Sequence, residues 1–568
     1  MGTRARYGAL LGLGAALLLA DTSVWVRLGV VGAGWLLAGG CHTLYLVART
    51  LPRDLTAVKK MGGLVLGTKM EEYRNMTVPK AFARTVARCP DKVLFYYRDQ
   101  EWTFQQVEER SNRVAHFFLS EGFTKGDTVA VFMENCPEFV CTWLGLAKAG
   151  LVPALINYNL RAESLHHSVT VAGSCALVYS ASLAAAVSEI FSLLLNGQRL
   201  SYPTYITGAA ASADSLVRVP GTKDLDELSR KHSVKPLPKT IQDSINFKDK
   251  LMYIYTSGTT GMPKAAVIKH ARYILASRGL TSIIGVKQSD ILYCPLPLYH
   301  SVGGMISLSG CMSSGISMVI RDKFSATQYF SDCIRYKVTV AQYIGELCRY
   351  LLATPPAPHD TRHTVRLMFG NGLRQDIWTQ FTERFSIPHI SEFYGSTEGN
   401  SNILNFDNTV GAVGFIPVLF SGILPLGLIK VDEDGTPVRD SATGLCIRCA
   451  VDEPGEFVGI IQQNHPVREF SGYSDQESTS KKVLRDVWSK GDTCFRSGDI
   501  LVMDKFGYLY FRDRKGDTFR WKGENVSTAE VEGVISKITG TWMYKPMILK
   551  LLNVLKHCQD YLTWWCTA

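Results

Sequence analysis

Two apolar stretches open the chain. Arg4 and Arg6 precede Ala9 to Ala20, a run of about twelve residues, short of the roughly twenty that cross a bilayer. After Asp21 to Arg27 the second run, Leu28 to Ala48, reaches spanning length, with Cys41, His42 and Thr43 as its interruptions. A cleaved signal peptide built on the first run competes with a single-pass anchor centred on the second. The length of the second favours the anchor. Arg49, Arg53, Lys59 and Lys60 follow it, which by the positive-inside rule puts the C-terminal body in the cytosol. The starting Met-Gly does not read as a myristoylation site, because Arg6 stands where Ser or Thr is needed.

From Thr77 the pattern changes to alternating elements. Val78 to Cys89 has helical spacing, Val93 to Tyr97 reads as a strand, and Asp99-Gln100 as a turn. Thr103 with Gln106 forms a capping box ahead of a helix through His116 to Leu119. Val129 to Met133 is a buried strand and Glu138 to Ala149 a helix. The alternation continues, which predicts an α/β fold of layered, mainly parallel sheets with helices on both faces. Gly197 to Thr240, richer in Ser, Pro and Lys, reads as irregular surface connections.

At 568 residues the chain needs at least two domains. Hydrophobic content of 46% with 20% charge is that of a globular protein. The net charge of +10 suits nucleotides, coenzyme A or an acidic lipid surface. No zinc-finger spacing, RNP-like string or long basic run marks a nucleic-acid partner. Cys446 and Cys449 make the single CxxC, explained better by strand positions than by zinc, and reduced thiols on a cytosolic body are expected.

The candidate chemistry starts at Tyr253 to Ala266, YIYTSGTTGMPKAA. A β-prone run ending in Tyr255 breaks into Thr256, Ser257, Gly258, Thr259, Thr260 and Gly261, then Lys264. Small residues let a backbone approach a polyphosphate, hydroxyls donate to it, and the lysine adds charge. The Walker spacing is absent. An ordinary Ser/Gly turn is the plainer alternative. Further strings follow in order: Pro295 to His300, Phe369 to Arg374, Glu392 to Gly399 (EFYGSTEG), Phe495 to Asp499, Gly507 to Arg514 and Phe519 to Ser527.

These strings, from about Thr77 to Gly540, resemble the adenylate-forming superfamily. Phe519 to Ser527 resembles its fatty acid transport protein and very-long-chain acyl-CoA synthetase branch. The resemblance implies a fatty acid, ATP and CoA converted through acyl-AMP to acyl-CoA, AMP and pyrophosphate. It implies that residues 256–264 hold the β- and γ-phosphates, Tyr255 leads into that loop, and Thr397 donates to the α-phosphate. Glu398 would hold Mg²⁺. Asp499 would accept the ribose hydroxyls, and Arg514 would bond ribose or phosphate. Gly370, Asn371 and Gly372 would lie against adenine, with Tyr394 stacked on it and Gly395 in the same motif. Gly523 would face the pantetheine of CoA. The plainer alternatives are a helix-N-terminal carboxylate for Glu398, a surface ion pair for Asp499 and Arg514, and a tight turn with a core tyrosine for 370–372 and Tyr394. His300 sits at the expected edge of the acyl pocket or is structural, and Gly303 to Ile320 lines the tunnel or is core.

The expected organisation is a membrane anchor (1–50), an AMP-binding large domain (51–512), the start of a small α+β C-terminal domain (513–540) with its hinge at Gly516, and a divergent tail (541–568). The tail has Lys545, Lys550 and Lys556 but none in the family lysine's context, so it reads as a truncated or alternative ending. The expected activity is a long- or very-long-chain fatty acid–CoA ligase. The competing reading is a poorly active fatty acid- or ATP-binding, uptake-assisting membrane protein. The endoplasmic reticulum is the first expected membrane and the plasma membrane the second; a homo-oligomer is compatible with the sequence.

Overall fold

A computed structural model describes residues 23–36, 40–193, 202–208, 219–257, 262–418, 424–432, 435–514, 518–521 and 524–527. Residues 541–568, with the three tail lysines, lie outside the described residues.

Three larger sheets carry the chain. The eight-stranded sheet runs in the order Ile403–Asn405, Ile390–Tyr394, Leu367–Asn371, Val340–Ile344, Ile291–Cys294, Ser317–Ile320, Val93–Tyr97, Gln100–Thr103. Its inner strands are parallel and its two edge pairings antiparallel. The seven-stranded sheet runs Lys223–Asp224, Thr204–Thr207, Ser174–Ser180, Thr128–Phe132, Val152–Leu155, Lys250–Ser257, Pro263–Lys269, parallel except for its last pairing. Strands such as Thr128–Phe132 are buried along their whole length, as helices on both faces require. The third sheet is antiparallel and brings together Gly414–Phe415, Tyr508–Arg514, Thr493–Met503, Gly455–Ile460 and Leu426–Ile429.

The local readings hold where the signal is short-range. Thr103 and Gln106 form the reciprocal capping box of helix Phe104–Ser120. The region read as irregular, 197–240, differs. Thr204–Thr207 is β-prone and buried at every position, so it joins the seven-stranded sheet, and Asp224 caps helix Leu225–Arg230.

The single-pass anchor is not shown. Among the described residues no helix is long and apolar enough to cross a membrane. The run Leu28 to Ala48 lies partly outside the described residues, at 37–39; helix Val24–Trp35 precedes that stretch and helix Cys41–Tyr73 follows it, the latter running through position 50, the expected end of the anchor. Two charges of the positive-inside count instead hold the long helix to the body. The Arg53 guanidinium lies 4.1 Å from the Phe415 ring centroid and 4.4 Å from that of Tyr508, and donates to the Phe506 carbonyl at 2.8 Å. Lys60 donates to the Ile283 carbonyl at 2.7 Å and lies over the Phe406 ring. Further along, Gly67 lets Arg278 pack closely: a Cβ there would stand 1.7 Å from a guanidinium nitrogen. The helix thus straps the antiparallel sheet to helix His270–Gly279.

Asp54 completes the strap. Its carboxylate is wholly buried, accepting from Arg53 at 2.8 Å and from the Val418 N–H at 2.8 Å. Arg53→Ala leaves that charge with one neutral donor, and removing one partner of a buried pair costs about 3 kcal/mol. The expected result is a lower urea midpoint for Arg53→Ala, with most of the loss recovered in the double variant Arg53→Ala/Asp54→Ala.

Candidate active site

The parallel strands of the eight-stranded sheet end on one edge, where loops collect the polar groups. Leu367–Asn371 and Ile390–Tyr394 are neighbours in register, Gly370 opposite Glu392. Gly370 tolerates no side chain, since a Cβ would lie 2.1 Å from the Tyr343 carbonyl oxygen. Gly372 adopts φ +84°, open to glycine and strained for other residues. The Glu392 carboxylate, fully buried, accepts from the Tyr343 hydroxyl and from the backbone N–H groups of Gly372 and Leu373, the last at 3.2 Å. Burial and Glu392 together push the Tyr343 hydroxyl well up, keeping it a donor. The Asn371 side-chain oxygen is buried with no hydrogen-bond partner among the described residues. That oxygen can accept from a donor such as an amino group.

Tyr394 reaches from this edge to the antiparallel sheet, its hydroxyl donating to Asp499 at 2.6 Å and its ring meeting Phe457 edge-on at 5.6 Å. Asp499 is buried on strand Thr493–Met503, with Arg514 as its antiparallel register partner. The adenine and ribose candidates therefore meet across two sheets.

The phosphate side forms on strand Pro263–Lys269. In register, Thr256 faces Lys264 and Ser257 faces Pro263. The Thr256 hydroxyl is buried without a hydrogen-bond partner among the described residues. Tyr255 serves a different end: its buried hydroxyl donates to the Ser168 carbonyl and ties down helix Ala162–Val171. Residues 472–474 lie along the outer edge of Pro263–Lys269, with Ala266 bridged to Tyr473 and the Ser474 N–H donating to the Ala265 carbonyl. That sets the Tyr473 ring 5.9 Å from the Lys264 ammonium. The Tyr473 hydroxyl donates to the Glu398 carboxylate at 2.8 Å. Thr397 donates to the Ser301 hydroxyl at 3.0 Å, at the turn after His300. Partial burial, reinforced by Lys481 and Lys482, lowers the pKa of Lys264, and Asp475 and Glu398 oppose this. An anion relieves that repulsion.

Gly258, Thr259, Thr260, Gly261, Gly516 and Gly523 lie outside the described residues, and Ser257 and Arg514 are placed by their strands alone. Gly395 packs tightly on Asn402: a Cβ at this position would stand 2.2 Å from the side-chain oxygen. Among the described residues no group of three or more His, Cys, Asp or Glu side chains could hold a metal by itself. Glu398 alone fits the way Mg²⁺ is shared between one carboxylate and substrate phosphates. The sequence does not single out Tyr473, Glu392 or Arg272 as site residues. Glu392 stands within a motif, Tyr473 has the weak signal of a Gly-Tyr pair, and Arg272 has none.

The chain is similar to known proteins. The AMP-binding enzyme family model matches residues 82–449. Long-chain fatty acid transport protein 1 of Homo sapiens is 45% identical over 505 residues, 89% of this chain and 77% of that protein. Long-chain fatty acid transport protein 2 of Rattus norvegicus is 42% identical over 81% of this chain and 73% of its own length. The anthranilate CoA ligase AuaEII, solved with anthranoyl-AMP, superposes with a TM-score of 0.63 at 19% identity, covering 81% of this chain and 82% of its own, a likeness of fold. Sheets, edge cluster and sequence identity converge on one conclusion: the chain belongs to the AMP-binding enzyme family, within the long-chain fatty acid transport protein group of adenylate-forming proteins.

Proposed function

We propose that this chain is an ATP-dependent long- or very-long-chain fatty acid–CoA ligase acting at a membrane. The observation that carries the reading is the meeting of a candidate nucleoside site (Asn371, Tyr394, Asp499) with a cation-bearing candidate phosphate site (Lys264, Thr397, Glu398), linked through the segment 394–398 where strands of three sheets come together.

In the first half-reaction a fatty carboxylate oxygen bonds to the α-phosphorus of ATP and the bond to the β-phosphate breaks, releasing pyrophosphate. Both reactants are anionic, so positioning and positive charge dominate the barrier. Lys264, with the residues of 256–261, takes the β- and γ-phosphates. Thr397 exchanges its bond to Ser301 for one to the α-phosphate. Asp499 holds the ribose, with Arg514 beside it, and Tyr394 orients both that carboxylate and the base. When bound at Glu398, Mg²⁺ supplies further charge neutralisation. In the second half-reaction the CoA thiolate bonds to the acyl carbon and AMP leaves; Gly523 is assigned to the pantetheine path.

A membrane supplies the substrate, and the long helix supports docking on it. Its outward face exposes Leu55, Leu66 and Met70, with Lys59 and Lys69 among them. An apolar strip edged by lysines suits an acidic lipid surface without spanning it.

Asp499→Ala is expected to weaken ATP and AMP binding by about 1–3 kcal/mol, the cost of unpaired ribose hydroxyls, read by calorimetry; unchanged affinity overturns the assignment. Replacing Leu55, Leu66 and Met70 together by Glu is expected to release the protein from vesicles containing phosphatidylserine while leaving the unfolding midpoint in place. Full retention on those vesicles removes this helix from the membrane contact.

A further inference from the structure

Arg272 is a polar side chain beside the phosphate site that the reaction scheme above does not use. It lies on helix His270–Gly279, which begins directly after strand Pro263–Lys269 and so follows Lys264 by one short connection. Its guanidinium finds no carboxylate at ion-pair distance among the described residues. It donates to three backbone carbonyls instead: Ser396 at 3.0 Å, Gly399 at 2.5 Å and Glu398 at 3.3 Å. All three belong to the segment whose side chains include Thr397 and Glu398.

A planar fork satisfied by three carbonyls fixes a loop more firmly than a flexible ammonium can. With its carbonyls drawn to Arg272, the segment leaves the Thr397 hydroxyl on Ser301 and the Glu398 carboxylate on Tyr473, both free to change partners when a nucleotide enters. Burial lowers the Arg272 pKa to about 10, against an opposing pull from Glu398, so the cation persists at neutral pH. A partly dehydrated cation hydrogen-bonded only to neutral carbonyls among the described residues is a costly way to brace a loop. Its charge becomes favourable once a phosphate anion is nearby.

We infer that Arg272 is a positioning residue for the metal–nucleotide contact: its hydrogen bonds to the 396–399 backbone aim Thr397 and Glu398 at the α-phosphate and its divalent cation. This rests on the roles proposed above for Thr397 and Glu398.

The test compares wild type, Arg272→Met, Arg272→Lys and Glu398→Gln as full-length protein. Three quantities are measured: adenosine affinity by calorimetry, Mn²⁺ affinity by electron paramagnetic resonance with a non-hydrolysable ATP analogue present, and fatty-acid-dependent pyrophosphate release. Arg272→Met is expected to bind adenosine as wild type does, because Asn371, Tyr394 and Asp499 are untouched. Its Mn²⁺ affinity is expected to fall about tenfold or more, and its pyrophosphate release by up to about 100-fold, the scale of a small misplacement at a reacting centre. Arg272→Lys keeps the charge but not the fork and should fall between; it carries the comparison if the Met variant does not fold. Adenosine and Mn²⁺ affinities falling together mark a merely structural residue and overturn the inference, as does an unchanged or raised Mn²⁺ affinity. Wild-type Mn²⁺ affinity in Glu398→Gln fails the metal reading itself, whatever Arg272 does.

Discussion

The hydrogen bond from the Tyr394 hydroxyl to Asp499 joins the parallel sheet to the antiparallel one at 2.6 Å. The two residues are 105 positions apart, so the contact exists only once the two sheets have assembled. A second bond of the same kind, Tyr473 to Glu398, ties the phosphate strand's edge to the same loop. In each pair a phenol donates to a buried carboxylate, a charge-assisted bond stronger than a neutral one. Both tyrosines can then release their acceptor to a ligand hydroxyl or cation without leaving an isolated charge.

Electrostatic asymmetry follows from that arrangement. Lys264 stands near two further lysines, and Arg272 is answered by carbonyls, so the phosphate side carries positive charge whose pKa values are lowered by burial. Preorganised cations in a site of reduced water content cost stability before binding and return it when an anion arrives. The side that carries Asp499 is arranged oppositely: its carboxylate accepts from the Tyr394 hydroxyl, and the neutral Asn371 oxygen has no hydrogen-bond partner among the described residues. Under the proposed function, the two ends of a nucleotide would therefore meet opposite charge.

The long N-terminal helix belongs to this scheme as much as to any membrane. Arg53 and Asp54 fasten it to the sheet that carries Asp499, and Lys60 and Gly67 fasten it to the segment containing Arg272. An apolar outward face on an element so attached holds the site at a set orientation to whatever surface that face meets.

Much of this is legible in the sequence because it is local. Strand periods, the Thr103–Gln106 capping box and the small residues of 370–372 each encode a backbone geometry within a few positions. The strings around Glu398 and Asp499 mark the cluster, and so name most of its members. What the sequence leaves open are contacts between distant segments. Arg272 reaches residues 124 to 127 positions away, and nothing in its neighbourhood distinguishes it from a surface arginine. Tyr255 reads as part of the loop, yet its hydroxyl is used 87 positions back on Ser168. Arg53 and Lys60 carry the pattern of membrane-flanking charges until aromatic rings and carbonyls from distant segments claim them. Local physics selects the backbone from neighbouring residues; which polar group satisfies which partner is decided only when the sheets assemble and water leaves.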